Sequence, residues 1–201
     1  MTSLRRTVLA LVAGVLLIAG CGDDNNNADS SSAASANPVD RAFVREMIPH
    51  HESAVQMAQI AQRRGQSAFV KQLADDIVRT QTAEISTLRA ADRRLKAAGV
   101  SVGSLGVPEH MMGMDDDPAS LKSAKRFDRA FLTMMIPHHE GAIEMANAER
   151  KKGKDPKLKT LAHKIITAQR REIAEMRKHL DGRGDRSLDG RPDQHGAEHP
   201  G

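Results

Sequence analysis

Asp40-Arg41-Ala42-Phe43-Val44-Arg45-Glu46-Met47-Ile48-Pro49-His50-His51-Glu52-Ser53-Ala54-Val55-Gln56-Met57-Ala58 decides the fold, because the chain writes it twice. Asp128-Arg129-Ala130-Phe131 repeats its opening, and Met135-Ile136-Pro137-His138-His139-Glu140 repeats its centre. Ala142, Met145 and Ala146 then stand for Ala54, Met57 and Ala58 at the same spacing. The match runs on without a gap through Gly65 and Gly153. It then takes in Leu73, Ala74, Ile77, Gln81, Glu84 and Ile85 against Leu161, Ala162, Ile165, Gln169, Glu172 and Ile173. A repeat of this length is one supersecondary unit, used twice.

Each unit reads as a helical hairpin. Its residues are helix formers, and the chain of 201 residues has no Trp, no Tyr and four Phe, so the aromatic and β-branched runs of strands are missing. Asp40 and Asp128 suit helix N-caps. Gly65 and Gly153, each after two basic residues, suit the helix ends. Second helices follow, from about Ser67 to Ala98 and from about Pro156 to Leu180. Four such helices predict an all-α, ferritin-like four-helix bundle with an approximate two-fold axis. The repeats span 40–98 and 128–180 within a domain of 39–181, joined by a linker over 99–118. Pro49 and Pro137 are costly inside a helix, about 3 kcal/mol each. The sequence therefore predicts a kink that frees the carbonyl of residue 45 or 133 and re-aims the histidines.

The periodicity then places chemistry. At about 100° per residue, Met47, His50, His51, Ala54, Met57 and Ala58 share one arc of the first helix, and Glu52 points away. The second unit repeats that arc with Met135, His138, His139, Ala142, Met145 and Ala146. Small alanines admit a neighbouring helix, so the arcs face the interior and carry imidazoles and thioethers with them. On the second helices Glu84 and Glu172 fall within the apolar stripe, with Gln81 and Gln169 at its edge. A buried carboxylate needs a partner. Each Glu is expected to accept a hydrogen bond from a motif histidine, as groups behind metal ligands do. The plainer alternative is a polar network that only locks packing, with methionines that are core.

Thioether and imidazole donors together favour Cu(I) over hard cations. The linker adds His110-Met111-Met112-Gly113-Met114, which a flexible loop could use to capture the ion and pass it inward; the alternative is a loop that covers the bundle end. Iron or manganese in a di-metal oxidase is the competing assignment. It needs Glu-x-x-His motifs, and Glu46 before His50 has Met134 as its counterpart. Two Glu and four His could still hold two harder ions. No serine elbow or phosphate loop is present. Whether the protein is an enzyme stays open at this point.

The N-terminus speaks to location. Arg5 and Arg6 precede an apolar run, Val8 to Ile18, too short to span a bilayer. Ile18-Ala19-Gly20-Cys21 resembles a bacterial lipobox, with residues 1–20 as signal peptide and lipidation at Cys21, the sole cysteine. An ordinary signal peptide is the alternative. Residues 21–38 read as a polar tether, and 182–201, with His195 and His199, as a disordered tail. The expectation is a cell-envelope protein, anchored to the membrane on the outer face of the cytoplasmic membrane or in the periplasm, with a copper donor or acceptor as possible partner. Removing Arg5 and Arg6 takes the formal charge of +4 down by two, too little to argue for nucleic acid.

The stretch from Phe127 to Ala146, with Gln169-Arg170-Arg171-Glu172-Ile173-Ala174-Glu175-Met176, resembles the bacterial family known as domain of unknown function 305. The resemblance covers about Val39 to Leu180. It implies a ferritin-like fold, and some members are exported copper-binding proteins. By motif position it implies Met47, His50, His51, Met57, Met135, His138, His139 and Met145 as ligands. Met112-Gly113-Met114 resembles the family's Met-rich linker, though Asp115 to Asp117 make this one more acidic.

Overall fold

A computed structural model describes residues 35–114 and 117–182. The signal and tether residues 1–34, with Cys21, lie outside this range, as do Asp115, Asp116 and the tail beyond 182 with His195 and His199. Four helices form an all-α bundle of two hairpins: α1 (Pro38–Arg64) with α2 (Ala68–Ala97), and α3 (Phe127–Lys152) with α4 (Pro156–Leu180). The hairpins meet chiefly through α1 against α3. Among the described residues no helix is long and apolar enough to cross a membrane.

The helix starts differ from expectation in an informative way. Asn37, not Asp40, caps α1: its side chain accepts from the N–H groups of Val39 and Asp40, and Asp40 returns a bond to the Asn37 N–H. Asp128 lies inside α3, which has no side-chain cap. Both aspartates reach across to the other hairpin instead. Asp40 Oδ1 accepts from the N–H groups of Lys154 (2.9 Å) and Asp155 (2.8 Å). Asp128 accepts from those of Gln66 and Ser67, both at 2.8 Å. These N–H groups belong to the turns just before α4 and α2, whose own caps are Asp155 and Ser67, so each aspartate satisfies turn donors of the opposite half. The exchange also shows that α1 and α3 run antiparallel, each starting where the other ends.

Gly65 and Gly153 end α1 and α3, but with ordinary negative φ. Their need is space: a Cβ at Gly153 would stand 2.3 Å from Glu149 Oε1, and one at Gly65 2.7 Å from the Ala61 carbonyl. Pro49 and Pro137 sit inside helices that continue through them. A missing N–H removes one hydrogen bond, and the buried turns on either side carry the helix across.

One end of the bundle is charged inside. Glu149 and Asp155 are fully buried beside Asp40, and Arg94 reaches Asp155 Oδ2 at 2.6 Å. Burial, then the hydrogen bond with Asp40 and the charges of Asp40 and Asp155, push Glu149 up to about 9. The matching position in the first half is Ala61, so this feature was not duplicated.

The linker is tied down rather than loose. Leu105 and Leu121 are buried, Gly103 N–H donates to the Pro38 carbonyl, and Lys152 Nζ donates to that of Leu105. Short 3-10 turns at Glu109–Met111 and Pro118–Ser123 shape it, and α3 begins at Phe127.

Candidate metal centre

The two arcs face each other across the α1–α3 contact. Met47, His50, His51, Met57, Met135, His138, His139 and Met145 are all buried, none more than 3% exposed. The rings of His50 and His138, counterparts in the repeat, lie 3.9 Å apart at 42° to one another. His51 and His139 flank them. His51 Nε2 stands 2.8 Å from Glu84 Oε2, and His139 Nε2 2.7 Å from Glu172 Oε2. Each stripe glutamate thus meets a motif histidine from its own hairpin. The halves are not identical: the Glu172 side chain is 9% exposed and that of Glu84 21%.

Hydrogen bonding sets the tautomers. A carboxylate only accepts, so His51 and His139 donate from Nε2 and keep the lone pair on Nδ1. Neither Nδ1 has a partner, nor has His50 Nδ1, nor either nitrogen of His138. Five buried imidazole nitrogens therefore stand without a hydrogen bond, where each such group costs roughly 1–3 kcal/mol. Charging the two central rings, His50 and His138, is resisted. Burial, then the neighbouring His51, pushes His50 down to about 3. Burial, then His50, holds His138 well below its ordinary value. Both are neutral at pH 7, the form that ligates metal.

The linker candidates separate. His110 is exposed, and so are Met111 and Met114 at 44% and 41%. Met112 is partly buried against the core and reaches the centre through its backbone: its carbonyl lies 2.9 Å from His50 Nε2. Gln81 and Gln169, expected at the stripe's edge, are buried instead, and their Oε1 atoms lack partners. They lie one turn before Glu84 and Glu172 on the same helices. Identity at both positions of the repeat was the available signal. Among the described residues, no group of three or more His, Cys, Asp or Glu side chains is arranged to hold a metal ion.

The class these features define is a duplicated helical bundle with a neutral histidine pair and buried methionines at its pseudo-two-fold centre. The chain matches the family described as Domain of unknown function (DUF305) over residues 21–92 and 96–180, and it belongs to that family. Among solved structures it resembles CopM in the Cu(I)-bound form, at 30% identity over 71% of this chain and 96% of that one, with a TM-score of 0.61. CopM has also been solved in Cu(II)-bound and Ag-bound forms. A DUF305 protein from Streptomyces coelicolor, described as a candidate secreted protein, is 28% identical over 73% of this chain and 93% of that one, with a TM-score of 0.63. Uncharacterized protein L153 of Acanthamoeba polyphaga mimivirus is 46% identical over 56 residues, 28% of this chain; the match spans 37% of that relative's length.

Proposed function

We propose that this chain binds Cu(I) at the centre of its bundle, outside the cytoplasm, and holds it or passes it to a partner protein. The observation that carries the reading is the set of five buried imidazole nitrogens without hydrogen bonds, in an interior that also buries four methionines. An interior used only for packing would leave that penalty unrelieved. A soft ion accepting lone pairs from Nδ1 atoms and thioethers relieves it. His50, His51, His138 and His139 supply the imidazoles, Met47, Met57, Met135 and Met145 the thioethers, and Glu84 and Glu172 hold the rings of His51 and His139.

The hard-metal alternative has less support. Both glutamates are engaged by histidines. The metal-bound forms of CopM support copper or its analogue silver. Exposed Met111 and Met114, with His110, are the proposed capture point on the linker. The lipobox-like segment at Cys21 is the proposed anchor, which puts the domain in the cell envelope on a tether. Titrating the full chain with Cu(I) against a competing chelator tests the reading. At least one ion per chain is expected, with loss of binding in His50→Ala/His138→Ala. Stoichiometry well below one, or no loss in the double variant, would reject it.

A further inference from the structure

The centre has a third orienting acceptor besides the two glutamates, and it is a backbone group. The Met112 carbonyl meets His50 Nε2 at 2.9 Å. A carbonyl has no proton to give, so His50 must donate from Nε2 and leave its lone pair on Nδ1. Glu84 and Glu172 impose that same tautomer on His51 and His139. His138, the counterpart of His50, has no acceptor at either nitrogen.

The strap that carries this carbonyl is fitted closely to α3. Gly141 lies directly beneath it: a Cβ there would stand 1.9 Å from the Met112 oxygen and 2.2 Å from its carbon. Gly113, at φ +67°, lies over Pro137, and a Cβ would fall 2.3 Å from the Pro137 carbonyl oxygen. Behind Met112, its N–H is bonded to the Glu109 carbonyl at 2.9 Å. The position matching Gly141 in the first half is Ser53. Among the described residues one linker crosses the bundle end, so one half of the duplication receives this strap and the other does not.

We infer that the Met112 carbonyl is a positioning group that fixes His50 as an Nδ1 ligand, which makes the two central histidines inequivalent: His50 is set in advance and His138 is free to adapt. The tautomer stands on hydrogen-bond chemistry alone; its consequence for metal rests on the function proposed above. Outer partners of this type commonly change metal affinity 10–100-fold.

The experiment is an imidazole nitrogen-15 NMR spectrum of the metal-free full chain at neutral pH. His50 should show one neutral tautomer, protonated at Nε2 and bare at Nδ1, while His138 shows both. Gly141→Ala and Gly113→Ala each wedge the strap away from α3, the first without meeting a proposed ligand and the second 2.9 Å from the His138 Cα, and each should turn His50 into a mixture. Ser53→Ala, at the matching position without a strap, should leave it unchanged. A wild-type His50 protonated at Nδ1 would overturn the inference without any variant. So would an unaltered His50 signal in both glycine variants. Ag(I) titrated against a competing chelator is the second arm, with a 10–100-fold loss expected in Gly141→Ala. A changed tautomer beside unchanged Ag(I) affinity would reject the consequence for metal and leave the orienting role standing.

Discussion

Acidifying the metal-free protein should reveal the cost of its buried neutral histidines. His50 is pushed down to about 3, from an ordinary 6.5 in the unfolded chain. The folded state refuses a proton that the unfolded state takes. Stability therefore falls as the pH drops below 6.5, and keeps falling until about 3. Each unit within that window is worth ~1.4 kcal/mol, so His50 alone costs about 2 kcal/mol at pH 5. His138 acts in the same direction. Glu149 acts in the opposite one. Raised from 4.5 to about 9, it keeps a proton that the unfolded chain releases. Its contribution is fullest below 4.5 and is lost as the pH rises toward 9, so between pH 7 and pH 5 it offsets roughly 2–3 kcal/mol. The wild-type profile thus mixes two opposed terms. Glu149→Gln removes one of them. Urea unfolding of that variant should show a loss of about 2 kcal/mol or more from pH 7 to pH 5, and adding His50→Gln should remove about 2 kcal/mol of the loss. A Glu149→Gln protein equally stable at both pH values would refute the reasoning.

Other perturbations separate the parts of the molecule. Arg94→Met strands the buried Asp155 carboxylate and should lower stability by about 3 kcal/mol in thermal unfolding. Asp128→Ala leaves the N–H groups of Gln66 and Ser67 without their acceptor and should cost about 1–2 kcal/mol. Removing the exposed Arg89–Glu52 pair by Arg89→Ala should cost under about 1 kcal/mol in the same assay. Glu172→Gln should weaken Cu(I) binding roughly 10–100-fold while the helical content read by circular dichroism stays the same.

The hairpins were legible because a gapless repeat and helical periodicity are local signals. The inward arcs followed from the same 3.6-residue period, which put Met47, His50 and Met57 beside one another before any packing was known. The pairing of Glu84 with a motif histidine was legible as well, since a carboxylate in an apolar stripe has few partners within its own hairpin; that the partner is His51 and not His50 came from the structure. What was not legible depends on contacts between the halves. Asp40 and Asp128 read as caps of their own helices, and only the antiparallel meeting of α1 and α3 turns them onto Lys154, Asp155, Gln66 and Ser67. The Met112 carbonyl at His50 has no sequence signature, because every residue carries a carbonyl. Its trace is Gly141 where the first half has Ser53, which shows its meaning once the strap is seen above it. Glu149 was missed for a related reason: it stands out only when Asp40 and Asp155 are known to surround it.

The most direct test of the central claim is the melting temperature of the full chain with and without Cu(I), beside the His50→Ala/His138→Ala variant. An ion that binds the folded state alone must raise that temperature, by about 2.7 kcal/mol of stability at a hundredfold excess over its dissociation constant. The account predicts a rise of several degrees in the wild type and none in the variant. No rise in the wild type, or an equal rise in both, would contradict it.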